Sequence, residues 1–232
     1  MTTAIILAGG LGTRLRSVVS DWPKAMAPIR GRPFLEYQMD YWMGQGVDRF
    51  VLSVGYMADR IRAHFGTHYC GVEIRYAQEA VPLGTGGGLL LALDGIDERV
   101  LVLNGDTFFA VDCAQLAAFH AAAGAVWSIA LHRRTDADRY LGMRLDGHGE
   151  VVALRAESRG GGLLVNGGVY LIDSAAIRAR GFRAGSACSL EDDILPRFIA
   201  AGGHVHGLEC GGRFIDIGVP ADYARAAEVI GV

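Results

Sequence analysis

No apolar run in this chain approaches the roughly 18 residues that a membrane-spanning helix needs. The N-terminus has neither the positive flank nor the longer apolar core of a secretory signal. Cysteine is scarce: four residues, Cys70, Cys113, Cys188 and Cys210, with no C-x-x-C pair. A disulfide framework is thereby excluded in a chain too large to need one, and reduced thiols in a cytoplasmic protein are expected. An excess of either charge is also missing. With 22 basic and 25 acidic residues, a net charge of −3 gives no general attraction for nucleic acid or an anionic membrane, so any anion must be held by a local cluster. There is no low-complexity tract, no linker rich in proline and serine, and no internal repeat of roughly 20 to 50 residues. The seven histidines show no metal-site spacing beyond His204-x-His206, which reads as a surface pair. No G-x-S-x-G elbow or Cys/His pattern supplies a covalent nucleophile.

What is present is an ordinary globular composition: 232 residues, 51% hydrophobic and 20% charged, expected to fold as one domain. The apolar run Ala4 to Ala8 reads as a buried strand. Helical spacing follows over Phe34 to Gln45, a strand over Arg49 to Val54, a helix over Met57 to Phe65 and a strand over Val72 to Tyr76. A helix over Thr85 to Leu93 and a buried strand over Val100 to Leu103 complete an alternation that predicts a doubly wound, mostly parallel α/β sheet of Rossmann-like form. Beyond a helix over Asp112 to Ala123 the rhythm changes. Trp127 to His132, Met143 to Leu145, Val151 to Leu154 and Leu164 to Ile172 read as successive strands, with Asp146-Gly147 as a turn, so a β-rich insertion or subdomain is expected. A capped helix from Ser189 to Ala201, a strand over Val205 to Leu208, the segment Phe214 to Ile217 and a helix over Ala221 to Ile230 close the chain.

The first strand runs straight into Gly9, Gly10 and Gly12 and then meets Arg14 and Arg16. Glycines at a strand exit turn the backbone tightly and expose N–H donors to an anion. A dinucleotide site would use G-x-G-x-x-G and then a ribose-binding acid, which is missing here; that argues against a nicotinamide-dependent oxidoreductase. Lys24 follows Pro23 on what should be a loop, and with Arg14 it could flank one triphosphate, a fork of donors opposite a point charge. Asp106 ends the apolar strand in N-G-D, where a carboxylate either holds a hard cation such as Mg²⁺ or caps a turn. Asp216, in the apolar stretch F-I-D-I-G, calls for a metal or cationic partner, and the two aspartates could share one Mg²⁺. The loop P-L-G-T-G-G-G offers backbone donors, and the Gln78 amide just before it could read a nucleobase edge. Glu157 and Asn166-Gly167-Gly168 carry polar groups suited to sugar hydroxyls, although Asn-Gly is more often a turn. Asp192 and Asp193 read as helix N-terminal charges, and Glu191 carries little weight.

Taken in order, L-A-G-G-L-G-T-R-L, P-K, P-L-G-T-G-G, N-G-D, N-G-G-V-Y and F-I-D-I-G-V-P closely resemble the sugar-phosphate nucleotidyltransferases, the NDP-sugar pyrophosphorylases, over almost the whole chain. Within that family the short length, the P-L-G-T-G-G-G loop and N-G-G-V-Y look most like the D-glycero-D-manno-heptose 1-phosphate guanylyltransferases. The resemblance implies a nucleotide half over residues 1–110 and a sugar half over 111–232. It implies that Leu7, Ala8, Gly9, Gly10, Gly12 and Thr13, with Gln78, Gly84 and Thr85, surround the nucleotide, and that Arg14, Lys24 and Asp106 carry the catalysis. Asp106 and Asp216 would hold Mg²⁺, and Asn104, Gly105, Gly142, Glu157, Asn166 and Gly168 would contact the sugar. Many relatives have E-K where this chain has Glu157-Ser158, which leaves Arg159 or another group to take the sugar phosphate.

The implied partners are GTP or another NTP and a sugar 1-phosphate, with heptose 1-phosphate first, in a cytoplasmic enzyme feeding capsule, lipopolysaccharide or another surface glycan. A homodimer is among the expectations; nucleic acid and membranes are not. Mannose 1-phosphate or another hexose 1-phosphate, and UTP, dTTP or CTP, are the alternatives within the class. A non-catalytic nucleotide-sugar sensor is the alternative outside it.

Overall fold

The structure is a computed structural model and describes residues 2–134, 142–156 and 162–232. Ala4, Ile5 and Ile6 are all fully buried, the unbroken apolarity that a strand covered on both faces requires. That strand, β1 (Thr3–Leu7), is followed by the short strands β2 (Pro28–Ile29) and β3 (Arg32–Pro33), then α1 (Phe34–Gly44), β4 (Arg49–Val54) and α2 (Ala58–Phe65). Next come β5 (His68–Tyr69), β6 (Val72–Gln78), α3 (Gly84–Ala92), β7 (Arg99–Asn104), β8 (Thr107–Phe109) and α4 (Cys113–Ala122). The second half holds β9 (Trp127–Arg134), β10 (Gly142–Leu145), β11 (Val151–Ala156), β12 (Leu163–Asp173), α5 (Ser174–Ala179) and α6 (Leu195–Ala200). The last elements are β13 (Val205–Glu209), β14 (Phe214–Asp216) and α7 (Pro220–Ile230).

Ten strands form one twisted sheet in the order β11-β10-β12-β7-β1-β4-β6-β5, with β9 beside β12 and β13 beside β9. The strands β7, β1, β4 and β6 run parallel, as the strand-helix alternation predicts. The β-rich second half joins this same sheet: β12 lies antiparallel to β7, and β9 and β10 antiparallel to β12. The turn expected at Asp146-Gly147 closes the β10–β11 hairpin, with the Asp146 carboxylate accepting from the N–H groups of His148 and Glu150 at 2.8 and 2.9 Å.

Alternate residues of β1 feed opposite layers. Ile6 packs with Leu35, Met39 and Trp42 of α1 on one face, while Ile5 packs with Leu89 of α3 and with Trp127 and Tyr170 on the other. A third apolar cluster ties the glycine loop to the C-terminal segment, joining Leu15 and Val19 to Phe108, Ile215 and Ile217. The strand Thr107–Phe109, which pairs antiparallel with Phe214–Asp216, was not anticipated, because three residues carry no readable periodicity.

Asn166-Gly167-Gly168 is neither a turn nor a strand end. Asn166 pairs with Leu131 and Val169 with Ala130, so both glycines sit in a bulge inside β12. Gly168 has φ +68°, and a Cβ there would lie 3.0 Å from the Asn104 side chain, so the bulge needs glycine for both conformation and space.

One polar side chain of α1 enters the core. Gln38 donates through Nε2 to the carbonyls of Asn104, at 2.9 Å, and Thr107, pinning the N-G-D turn from beneath. Gln38→Leu leaves a buried carbonyl without its donor and is expected to lower stability by about 1–3 kcal/mol, read as a reduced midpoint in urea unfolding.

Candidate active site

The parallel strands β7, β1, β4 and β6 all end on one edge of the sheet, and their exits build a cleft of about 410 Å³. Leu7 and Asn104 are register partners, so the glycine loop and the N-G-D turn leave the sheet side by side. The Gly105 N–H donates to the Leu7 carbonyl at 3.0 Å, and a Cβ on Gly105 would stand 2.5 Å from that oxygen and 3.1 Å from the Ala8 Cα. Only glycine allows the two loops to touch here. Gly12, with φ +59°, turns the loop onto the Lys24 side chain.

Lys24 is the meeting point of three distant segments. Its ammonium donates to the Asp106 carboxylate and lies 3.7 Å from Oδ1 of Asp216. The three side chains are 12%, 35% and 20% exposed, respectively, enough burial for their attraction to outweigh that of a surface pair. Asp216 reaches this point because it is the register partner of Thr107, and the Ile217 N–H donates to the Asp106 carbonyl at 2.9 Å. The Gly218 N–H, 2.6 Å from Asp216 Oδ1, fixes that carboxylate.

A second cleft of about 210 Å³ adjoins the first and shares Asn104 and Asp106 with it. A hydrogen-bonded chain runs along its wall. Asn166 Nδ2 donates to the Tyr170 hydroxyl at 2.7 Å, and that hydroxyl donates to Glu191 Oε1 at 3.0 Å. Thr85 Oγ1 donates to Glu191 Oε2 at 3.1 Å while accepting from the Leu190 N–H at 2.8 Å. Burial, and then the Glu191 charge, push the Tyr170 phenol well above its ordinary pKa, so it stays a donor.

Leu7, Ala8, Gly9, Gly10, Gly12, Thr13, Lys24, Gly84, Thr85, Asn104, Gly105 and Asp106 all line the first cleft, and Asn166 and Asp216 line the second. Arg14 is exposed on the loop after Thr13, outside the lining. Gln78, the last residue of β6, is likewise exposed, and its neighbour Glu79 faces the cleft instead. Gly142 is buried beside Met143, which lines the second cleft, and Gly168 abuts Asn104. Glu157, with Ser158 and Arg159, lies outside the described residues.

Sequence reasoning missed Ser53 and Glu79 in the first cleft and gave too little weight to Glu191 in the second. Glu79 accepts from the Leu83 N–H at 2.8 Å and from the Ser53 hydroxyl at 3.4 Å, close against Gly9 and Gly88. An acid three residues before the P-L-G-T-G-G-G loop was its only local signal.

Among the described residues no group of three or more His, Cys, Asp and Glu is placed to hold a metal. Asp106 and Asp216, gathered around the Lys24 ammonium, do fit a hard divalent cation that takes a few carboxylate oxygens and completes its shell from substrate and water. No helix among the described residues is long and apolar enough to cross a membrane.

The sequence profile described as nucleotidyl transferase matches residues 3–231. The chain is 39% identical over 225 residues to D-glycero-alpha-D-manno-heptose 1-phosphate guanylyltransferase of Aneurinibacillus thermoaerophilus, covering 96% of both chains. It is 36% identical over 220 residues to the protein of the same name from Campylobacter jejuni, covering 95% of this chain and 96% of that one. The crystal structure of HddC from Yersinia pseudotuberculosis complexed with GMP-PN superimposes with a TM-score of 0.85 at 34% identity, covering 98% of this chain and 99% of that one.

Two glycines of the site separate stability from geometry. Gly105→Ala pushes against backbone and is expected to lower stability by about 1–3 kcal/mol. Gly218→Ala meets only the ends of the Asp216 and Lys24 side chains, at 2.7 and 2.9 Å, and should leave the unfolding midpoint nearly unchanged. Parallel urea titrations of the two variants check this order.

Proposed function

The chain belongs to the nucleotidyl transferase family, and on that footing we propose that it is a sugar-1-phosphate guanylyltransferase. It transfers GMP from GTP to a heptose 1-phosphate, giving GDP-heptose and pyrophosphate. D-glycero-α-D-manno-heptose 1-phosphate, the acceptor in the names of both relatives, is the first candidate. The observation that carries this is the pair of clefts meeting at Asn104 and Asp106: a nucleotide in one and a sugar phosphate in the other would face each other across those two residues.

The first cleft suits GTP. Gly10, Gly12 and Thr13 lie on its loop with Arg14 just beyond, so the triphosphate belongs at that end, near Lys24. Glu79, between Gly9 and Gly88, belongs with the base. A carboxylate accepts from both the N1–H and the 2-amino group of guanine, a pair that adenine, cytosine and uracil do not present. The second cleft takes the acceptor, with its phosphate toward the shared residues. The whole lining of the first cleft comes from residues before 107, while most of the second comes from residues after 142, which supports a nucleotide half over 1–110 and a sugar half over 111–232.

In the reaction a phosphate oxygen of the acceptor attacks the α-phosphorus of GTP in line. The bond to the bridging oxygen breaks, and pyrophosphate leaves with its electron pair. No covalent enzyme intermediate is needed. Lys24 and Arg14 hold the two mutually repelling anions together and stabilise the charge that grows on the leaving group. Asp106 and Asp216 would hold Mg²⁺, which when bound supplies positive charge to the triphosphate. Asn104, Gly105, Gly142, Asn166 and Gly168 would shape the sugar side, with Glu157 from the segment outside the described residues. A cytoplasmic location fits these substrates.

Pyrophosphate release across a grid of nucleoside triphosphates and sugar 1-phosphates tests the assignment, with GTP and heptose 1-phosphate expected to react fastest. A preference for UTP, dTTP or CTP, or no release with any sugar phosphate, would overturn it. Arg14→Ala and Asp106→Asn should each lower kcat by about 10² or more. Glu79→Gln should cut the preference for GTP over ITP, which lacks the 2-amino group, by about tenfold.

A further inference from the structure

We propose that Glu191 reads the hydroxyls of the acceptor sugar and sets which end of the acceptor enters the second cleft first, an assignment that rests on the guanylyltransferase reading above. Glu191 lines that cleft together with Asn166. Among the described residues its carboxylate has no basic partner; hydroxyls alone hold its two oxygens, from Tyr170 at 3.0 Å, Thr85 at 3.1 Å and, more loosely, Ser189 at 3.4 Å. An ionised carboxyl group offers about four acceptor positions, so lone pairs remain for a ligand.

The donors around it have fixed directions. Asn166 Oδ1 accepts from the Gly168 N–H at 3.0 Å, which turns its Nδ2 toward Tyr170. The buried Tyr170 phenol, with its proton retained, then donates onward to Glu191. From the other side the Leu190 N–H occupies Thr85 Oγ1, so the Thr85 proton points to Glu191. The whole chain converges on Glu191 as an acceptor, and a donor in the cleft, such as a sugar hydroxyl, completes it.

A phosphorylated sugar has one end that fits this description and one that does not. Its hydroxyls are donors, and two neighbouring hydroxyls match the two oxygens of a carboxylate. Its phosphate has no donor to offer Glu191 and is repelled by it, whereas the edge shared with the first cleft holds the Lys24 ammonium with Asp106 and Asp216 beside it. The acceptor meets Glu191 with its hydroxyls, which leaves its phosphate for the end that faces the nucleotide. Thr85 also lines the first cleft, so the residue that reads the sugar is anchored on the loop that borders the nucleotide.

Steady-state kinetics of Glu191→Gln on the full chain test this, with GTP and with a panel of acceptors each lacking one ring hydroxyl. The variant should raise the acceptor KM by about tenfold or more while changing the GTP KM less than about twofold, because a site built for a hydroxyl loses the most when its acceptor group is altered. One hydroxyl deletion that weakens the wild type should have little further effect in the variant, and Glu191→Asp should recover part of the loss. An unchanged acceptor KM, or the same penalties across the panel in wild type and variant, overturns the assignment. Should both variants lose the wild-type unfolding midpoint, the wild type decides: if no single hydroxyl deletion raises its KM by about tenfold, Glu191 does not read the sugar. If the wild type itself releases no pyrophosphate with GTP and any sugar 1-phosphate, the guanylyltransferase reading falls and this assignment falls with it.

Discussion

An ammonium group held by two carboxylates from remote parts of the chain is the constraint around which the site is arranged. Lys24, Asp106 and Asp216 are brought together by a helical turn near the N-terminus, a central strand exit and a short strand near the C-terminus. None of these elements is stable alone. The lysine is steered by apolar contacts of Leu15 and Val19 with Phe108, Ile215 and Ile217, and the aspartates are steered by the three-residue pairing of β8 with β14. Much of the site's precision is therefore set by apolar packing behind it, where a shift of one side chain would be felt at the charged groups.

Glycine does a different task at each point where two backbones approach. Gly105 lets the exits of β1 and β7 touch, so the nucleotide loop and the N-G-D turn share one edge. Gly168 opens the bulge in β12 against Asn104, and Asn104 belongs to both clefts. The two clefts are thus neighbours because of backbone contacts rather than because any ligand draws them together. Transfer between two bound anions needs such a shared wall, since the reacting groups must be held in line against their own repulsion.

The polar chain from Asn166 through Tyr170 and Glu191 to Thr85 adds a connection along the wall between the two clefts, with Tyr170 as its buried member. The buried Tyr170 hydroxyl is tolerated because it has partners on both sides, and the chain keeps these side chains in one arrangement. Its members come from β12, from the turn before α6 and from the start of α3, three elements separated in sequence by packed helices and strands.

Much of this was legible in the residues themselves. Apolar runs such as Ala4 to Ala8 and Val100 to Leu103 declare buried parallel strands because a strand covered on both faces admits few polar side chains, and the glycines and charges that follow them declare a phosphate-binding edge. Glu79 and Glu191 stayed hidden because an isolated acid looks the same whether it faces solvent or a cleft; direction is set by the twist of β6 and by the turn at Leu190–Ile194, and neither is written in local spacing. The alternation of strands and helices determined the parallel α/β half, since that follows from short-range patterns of burial and turning, and the order of motifs carried the resemblance that implies the class of chemistry. Which side chains meet was decided only by tertiary structure, because contacts such as Lys24 with Asp216 depend on long-range strand pairing and apolar packing that no window of neighbouring residues contains.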